Sequence, residues 1–197
     1  MNKKLISLFT LIALCYVIIY EKFIYTQNQL NQNFINQEEN SMVDIGISEK
    51  NRQLITTILR RLLSNIYIVY IKTRNYHWNI EGQHFPGLHK MFEEQYEALE
   101  KFADEIAERI RALGFFSIGT LQEFLQYTTL TEEPGVYRNE QGMLKNLILD
   151  YETIIKELRA DAEDALELGD IGTNNFLIDL IEKLEKTAWM LRSITVK

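Results

Sequence analysis

The chain has 197 residues, 46% of them hydrophobic and 25% charged, which suits one soluble domain with a terminal extension better than two domains. A net charge of −7 argues against a surface that coats phosphate backbones and favours one that attracts cations. The single cysteine, Cys15, excludes an internal disulfide framework, and only 2 prolines and 9 glycines leave long stretches open to helix.

Residues 1–20 open with Lys3 and Lys4, then run uncharged and mostly apolar from Leu5 to Tyr20, like a signal peptide or a short membrane anchor. No small-x-small cleavage site follows, because the run leads into Glu21, Lys22 and Phe23. Leu14 is too large for a lipoprotein cleavage site before Cys15, and the run is short for a bilayer span. Residues 26–41 are rich in Asn and Gln and read as a disordered linker. A third reading makes the leader a mis-assigned start. Met42 opens a self-sufficient domain, and Glu38-Glu39-Asn40-Ser41 before it would encode a purine-rich ribosome-binding site if the glutamates use GAG codons. Signal, anchor and mis-assigned start all stay open for residues 1–41, with 42–197 as the folded domain.

From Ser48 the apolar period is helical. Leu54, Ile58, Leu62, Ile66 and Val69 predict a first helix to about Trp78, broken by Gly82, Pro86 and Gly87. A second helix places Leu88, Phe92, Tyr96, Leu99, Ala103, Ile106 and Ile110 on one face and ends near Gly114, a C-terminal cap. Thr120 to Tyr127 predicts a short helix inside the next connection, and Pro134-Gly135 marks a turn. Two further long helices are expected, from about Asn139 to Leu168 and from about Thr173 to Thr195, with Gly169 and Gly172 bracketing the turn between them. The fold class is therefore all-α: a ferritin-like four-helix bundle with a short helix in the middle crossover.

His77, His84 and His89 fall close together beside an acid-rich helix. A lone histidine is usually a capping or core residue, but three beside such a helix shift the balance toward metal. His89 and Glu93 are i, i+4 and share a helix face, as do Asp104 and Glu108, although acidic pairs at this spacing are common on solvated faces and Glu108 could pair with Arg111. His89 and Asp104 lie on one helix about 22 Å apart at roughly 1.5 Å per residue. Bonds to metal are about 2 Å long, so one chain cannot bring both residues to the same ion. Two antiparallel copies can, and a two-fold axis then gives two equivalent sites. A mixed histidine and carboxylate set with open positions suits oxygen-activating non-haem iron. Glu81-Gly82-Gln83-His84 has the Glu-x-x-His spacing of intrachain di-iron sites, but it lies between glycine and proline breaks and reads as a loop.

Lys72-Thr73-Arg74-Asn75-Tyr76-His77-Trp78-Asn79, then Gly82, His84-Phe85, Leu88-His89, Phe92 and Tyr96, resemble the Dps family, the DNA-binding proteins from starved cells. Asp104-Glu105-Ile106-Ala107-Glu108-Arg109-Ile110, Gly114 and the stretch from Thr173 to Leu191 with Trp189-Met190 continue the resemblance from about Met42 onward. It implies a two-iron site shared between two subunits, with His77 and His89 from one and Asp104 and Glu108 from the other. Glu93 stands for a further carboxylate, often Asp in the family, that helps hold the second iron. Trp78 would lie beside the site and absorb stray oxidising equivalents, with core packing as the competing account, whereas Trp189 reads as packing.

The resemblance further implies a hollow homo-oligomer, a dodecamer, that oxidises Fe(II) with hydrogen peroxide and stores the mineral inside. Asp170 and Asp179 match acids that line the family's iron-entry pores, while Asn175 stands where the family often has Asp. Members that coat DNA carry a lysine-rich tail. Here Lys3, Lys4 and Lys22 cancel against Glu21, Glu38 and Glu39, and the C-terminus offers only Arg192 and Lys197, so DNA binding is expected to be weak or absent. A nucleoid-coating protein and a membrane-tethered helical scaffold are the competing functions. A start at Met42 implies a cytoplasmic protein, and a genuine leader implies a membrane-anchored or exported one.

Overall fold

The computed structural model describes residues 43–195, which lie within one compact unit, Met42–Lys197. The expectations for the leader and the linker, and the start at Met42, lie outside the described residues. Those described contain five helices and no strand: α1 (Glu49–Asn79), α2 (Phe85–Ala112), α3 (Leu121–Tyr127), α4 (Glu140–Glu167) and α5 (Ile171–Thr195).

Local sequence chemistry sets the boundaries. The Ser48 hydroxyl accepts from the Asn51 amide at 3.2 Å and caps α1. Thr120 and Glu123 form a reciprocal capping box on α3, and Asn139 caps α4 through the Gly142 amide. Gly114 ends α2 at φ 95°, with its amide on Arg111 and the Phe115 amide reaching back to Ile110. Gly169 ends α4 in the same way at φ 84°. This pairing of backward bonds needs a left-handed residue, which glycine supplies at least cost.

The short connections after α1 and α4 produce two helix hairpins, α1 with α2 and α4 with α5. The long crossover carries α3 and returns the chain so that α4 also packs on α1. Ile55, Leu59, Leu63, Ile66 and Val69 of α1 meet Leu99, Ile106 and Ile110 of α2 and Leu144, Leu147 and Leu158 of α4 in the shared core. The expected core face of α1 is displaced at its start, because Leu54 is 47% exposed and Ile58 is half-buried. Apolar residues fall there in adjacent pairs, Leu54-Ile55, Ile58-Leu59 and Leu62-Leu63, which support more than one helical phase. Ile55 and Leu59 take the core, while Leu54 and Ile58 line a surface groove with Leu168.

Buried polar groups tie the crossover down. Asn65 accepts from the Thr128 hydroxyl at 2.7 Å and the Thr129 amide at 2.9 Å, and donates to Glu157. Lys72 pairs with buried Asp150 at 2.5 Å and donates to the Thr131 carbonyl at 3.1 Å. Helix α1 has the length and apolarity of a membrane span, yet 61% of that window is buried inside the bundle, as befits a core helix.

Candidate metal centre

The C-terminal end of α1 and the N-terminal end of α2 meet at two histidines. The His77 and His89 rings stack with centroids 3.8 Å apart, and His77 is 9% exposed. Nδ1 of His77 donates to the carbonyl of His89 at 2.8 Å, and Nδ1 of His89 donates to the carbonyl of His77 at 2.9 Å. A carbonyl oxygen only accepts, so the hydrogen of each neutral ring sits on Nδ1 and each Nε2 keeps a free lone pair. Fixing one ring nitrogen so that the other faces outward is how proteins orient imidazole for a metal.

Phe85 stacks on His89 at 4.9 Å, and Tyr96 meets the His77 ring edge-on at 5.4 Å. Glu93, one turn beyond His89, accepts a long hydrogen bond of 3.5 Å from the Tyr96 hydroxyl. Burial and the adjacent Glu93 carboxylate raise the Tyr96 phenol above its ordinary value, so it stays protonated at neutral pH. Spacing alone placed Tyr96 on the core face. Its positions three beyond Glu93 and seven beyond His89 were the available signal that it also flanks the histidines.

Asp104 and Glu108 lie further along the same unbroken helix, both exposed. Asp104 lines a groove with Tyr67, Glu97 and Glu100. Among the described residues no three His, Cys, Asp or Glu side chains converge on one point. The structure thus brings His77 and His89 together, with Glu93 one turn beyond His89 on α2, and places Asp104 and Glu108 further toward the C-terminal end of that helix. Glu81 and His84 lie in the α1–α2 connection, where His84 Nδ1 bonds the Glu140 carboxylate at 2.9 Å, so the Glu-x-x-His spacing is indeed in a loop. Arg111 turns to the Phe115 carbonyl at 3.0 Å and the Phe116 ring rather than toward Glu108.

Three further residues have surroundings that the sequence did not specify. Asp170 is 2% exposed, accepts from the Thr173 amide at 2.9 Å and binds Arg109 at 2.7 Å. Within the subunit it is a helix cap and ion-pair partner, with both oxygens engaged by Thr173 and Arg109. Trp189 is 59% exposed and lines a surface groove with Ile155 and Lys156, so packing inside the subunit does not explain it. Trp78 is 64% exposed, which removes core packing within the chain, and the Arg74 guanidinium lies 5.3 Å from its ring. Asp179 is exposed and pairs with Lys183 at 2.6 Å.

Residues 56–197 match the ferritin-like domain family. The chain is 34% identical over 143 residues to "DNA protection during starvation protein 2" of Bacillus anthracis, covering 73% of this chain and 97% of that one. It is 41% identical over 152 residues to an uncharacterised low-temperature-induced protein of Nostoc, covering 77% and 85% of the two chains. Among solved structures it resembles the Dps protein of Vibrio cholerae, described as a member of a broad superfamily of ferritin-like diiron-carboxylate proteins. That likeness has a TM-score of 0.76 and 32% identity, covering 80% of this chain and 100% of that one. Sequence motifs, helix order and these likenesses agree: the chain belongs to the Dps family of ferritin-like proteins.

Proposed function

We propose that the protein oxidises Fe(II) with hydrogen peroxide and stores the ferric product inside a closed homo-oligomeric shell, a dodecamer, in the cytoplasm. Each iron site is completed by two chains. His77 and His89 come from one, with Glu93 beside them, and Asp104 and Glu108 come from a two-fold-related copy. Fe(II) is the substrate, and the imidazole nitrogens and carboxylates hold it through an open, mixed donor set suited to non-haem iron. Two Fe(II) ions supply the two electrons, and solvent the two protons, that reduce one peroxide to two waters, so hydroxyl radical is not released.

The observation that carries this reading is the reciprocal bonding of His77 and His89, which leaves both Nε2 lone pairs free on rings already oriented. The unbroken α2 helix supports the two-chain arrangement, since it holds His89 and Asp104 too far apart for one ion. The acidic chain supports iron chemistry over DNA coating. Anaerobic Fe(II) titration of the size-fractionated protein, followed by peroxide, tests the proposal. The expected result is saturable Fe(II) binding and consumption of one peroxide per two Fe(II), with little hydroxyl radical trapped. Peroxide consumption at the rate of free Fe(II) would refute it.

A further inference from the structure

We infer that Arg74 of each chain forms an ion pair with Glu100 of the two-fold-related copy, and that this pair sets the register in which the partner's Asp104 and Glu108 reach His77 and His89. The inference rests on the two-chain reading above and adds to it the contact that aligns the chains.

Arg74 lies on α1, one turn before His77. Its guanidinium carbon is 5.0 Å from the centre of the Tyr96 ring, 5.3 Å from that of Trp78 and 5.6 Å from that of Tyr70. Nη1 donates to the Tyr70 hydroxyl at 2.7 Å. Ring faces and a phenol attract a cation but supply no countercharge. Nε is buried without an acceptor, and among the described residues no carboxylate pairs with Arg74. Glu100 of the same chain attracts it only through space. A planar guanidinium held in this way is prepared for a carboxylate from outside the subunit.

Helix α2 carries the matching charge. Glu93, Glu97, Glu100 and Asp104 follow one another at steps of four, three and four, on one helix face. The last three are exposed and line one groove, in which Lys101 is the one base among the lining residues. Across a two-fold axis such a stripe repels its own copy unless cations from another element enter between them.

Register identifies the pair. His77 meets His89 and Tyr70 meets Tyr96, so α1 and α2 are antiparallel. The proposed dimer lays the two α2 helices antiparallel, and α1 therefore runs parallel to the partner's α2. With His77 against the partner's Asp104, three residues back along α1 lead to Arg74, and four residues back along the partner's α2 lead to Glu100. These steps cover about 4.5 Å and about 6 Å at roughly 1.5 Å per residue, and a long arginine side chain spans the difference. The bond to Tyr70 tips the guanidinium in the required direction. Symmetry places two such pairs about the axis. Sliding one helix past the other by a turn, about 5.4 Å, breaks both and withdraws the carboxylates from the histidines.

A charge-swap mixture of metal-free full chains tests the pair. One chain carries Arg74→Glu and the other, isotope-labelled, carries Glu100→Arg. Alone, each sets like charges across the axis, and its dimers should dissociate at a protein concentration at least about tenfold above that of the wild type. In a mixed dimer the two substitutions face each other at one contact, and native Arg74 and Glu100 face each other at the second. Native mass spectrometry should therefore find mixed dimers well above their statistical share, with wild-type stability. A pair formed inside one chain gains nothing from mixing, because each chain keeps its own like-charged couple. Arg74→Gln and Glu100→Gln are the milder variants if a charge reversal loses helicity by circular dichroism. They should loosen the dimer equally, and the double variant no more than either. Statistical mixing, or variant dimers as tight as the wild type, would overturn the pair. Fe(II) oxidation by the wild type is measured separately. Its absence alongside preferential mixing removes the iron reading and keeps the contact, whereas normal oxidation with statistical mixing removes the contact alone.

Discussion

Asp170 joins two helices with one carboxylate. It caps α5 through the Thr173 amide, accepts from the Thr173 hydroxyl at 2.5 Å, and pairs with Arg109 of α2. Burial alone would raise its pKa, but the bonds from Thr173 and Arg109 outweigh burial and hold it below the ordinary value. A lowered folded-state pKa contributes stability that is complete above the unfolded value and is lost as pH falls through the folded one. Asp150 and Asp161 act with the opposite sign, because burial outweighs their bonds to Lys72 and Arg61 and raises both. Comparing wild type with Asp170→Asn therefore isolates the Asp170 contribution. Chemical denaturation across the acid range should show the stability difference shrinking as pH falls below about 4. Asp170→Ala, which removes the cap as well as the charge, should cost about 2–4 kcal/mol at neutral pH. None of this was legible from Asp170 alone, since an acid before a helix has the same sequence signature whether it caps, pairs or lines a channel. Arg109, which distinguishes these roles, is distant in sequence. The His77 and His89 pairing was legible as a cluster, but their exchange of backbone carbonyl contacts depends on how α1 meets α2.

At the scale of elements, α3 is the informative one. Its capping box and Tyr67–Phe124 stacking hold it on α1, while Leu121 is 64% and Leu125 58% exposed, one turn apart on the same helix face. A contiguous apolar face of this kind on a folded chain calls for a partner surface. Tyr67, on which Phe124 of α3 stacks, also lines the groove containing Asp104, so α3 packs near the carboxylate half of the proposed shared site. The double variant Leu121→Glu and Leu125→Glu should stay helical by circular dichroism but sediment as a smaller species and lose rapid Fe(II) oxidation. A full-sized shell with normal oxidation would remove α3 from the assembly. Helix positions were readable because caps and breakers are local: Ser48, Thr120, Asn139, Gly114 and Gly169 sit where the boundaries fall. The phase of α1 was less readable, since adjacent apolar pairs do not specify which member of each the neighbouring helices will cover.

For the whole molecule, net charge and two-chain chemistry make separate predictions. At −7 per chain, a shell should bind duplex DNA weakly, and any binding should fall steeply with salt. Tight retention in gel shifts at physiological salt without bridging divalent cations would contradict this. The central claim is that iron sites need two chains, and co-assembly tests it most directly. One variant carries His77→Ala and His89→Ala, and the other carries Asp104→Ala and Glu108→Ala. Each alone should lose most rapid Fe(II) oxidation, because every site lacks half its ligands. A mixed dimer unites the intact histidines of one chain with the intact carboxylates of the other at one of its two sites. Mixed shells should therefore regain a fraction of wild-type oxidation, and verified mixed dimers as inactive as the separate variants would contradict the shared site.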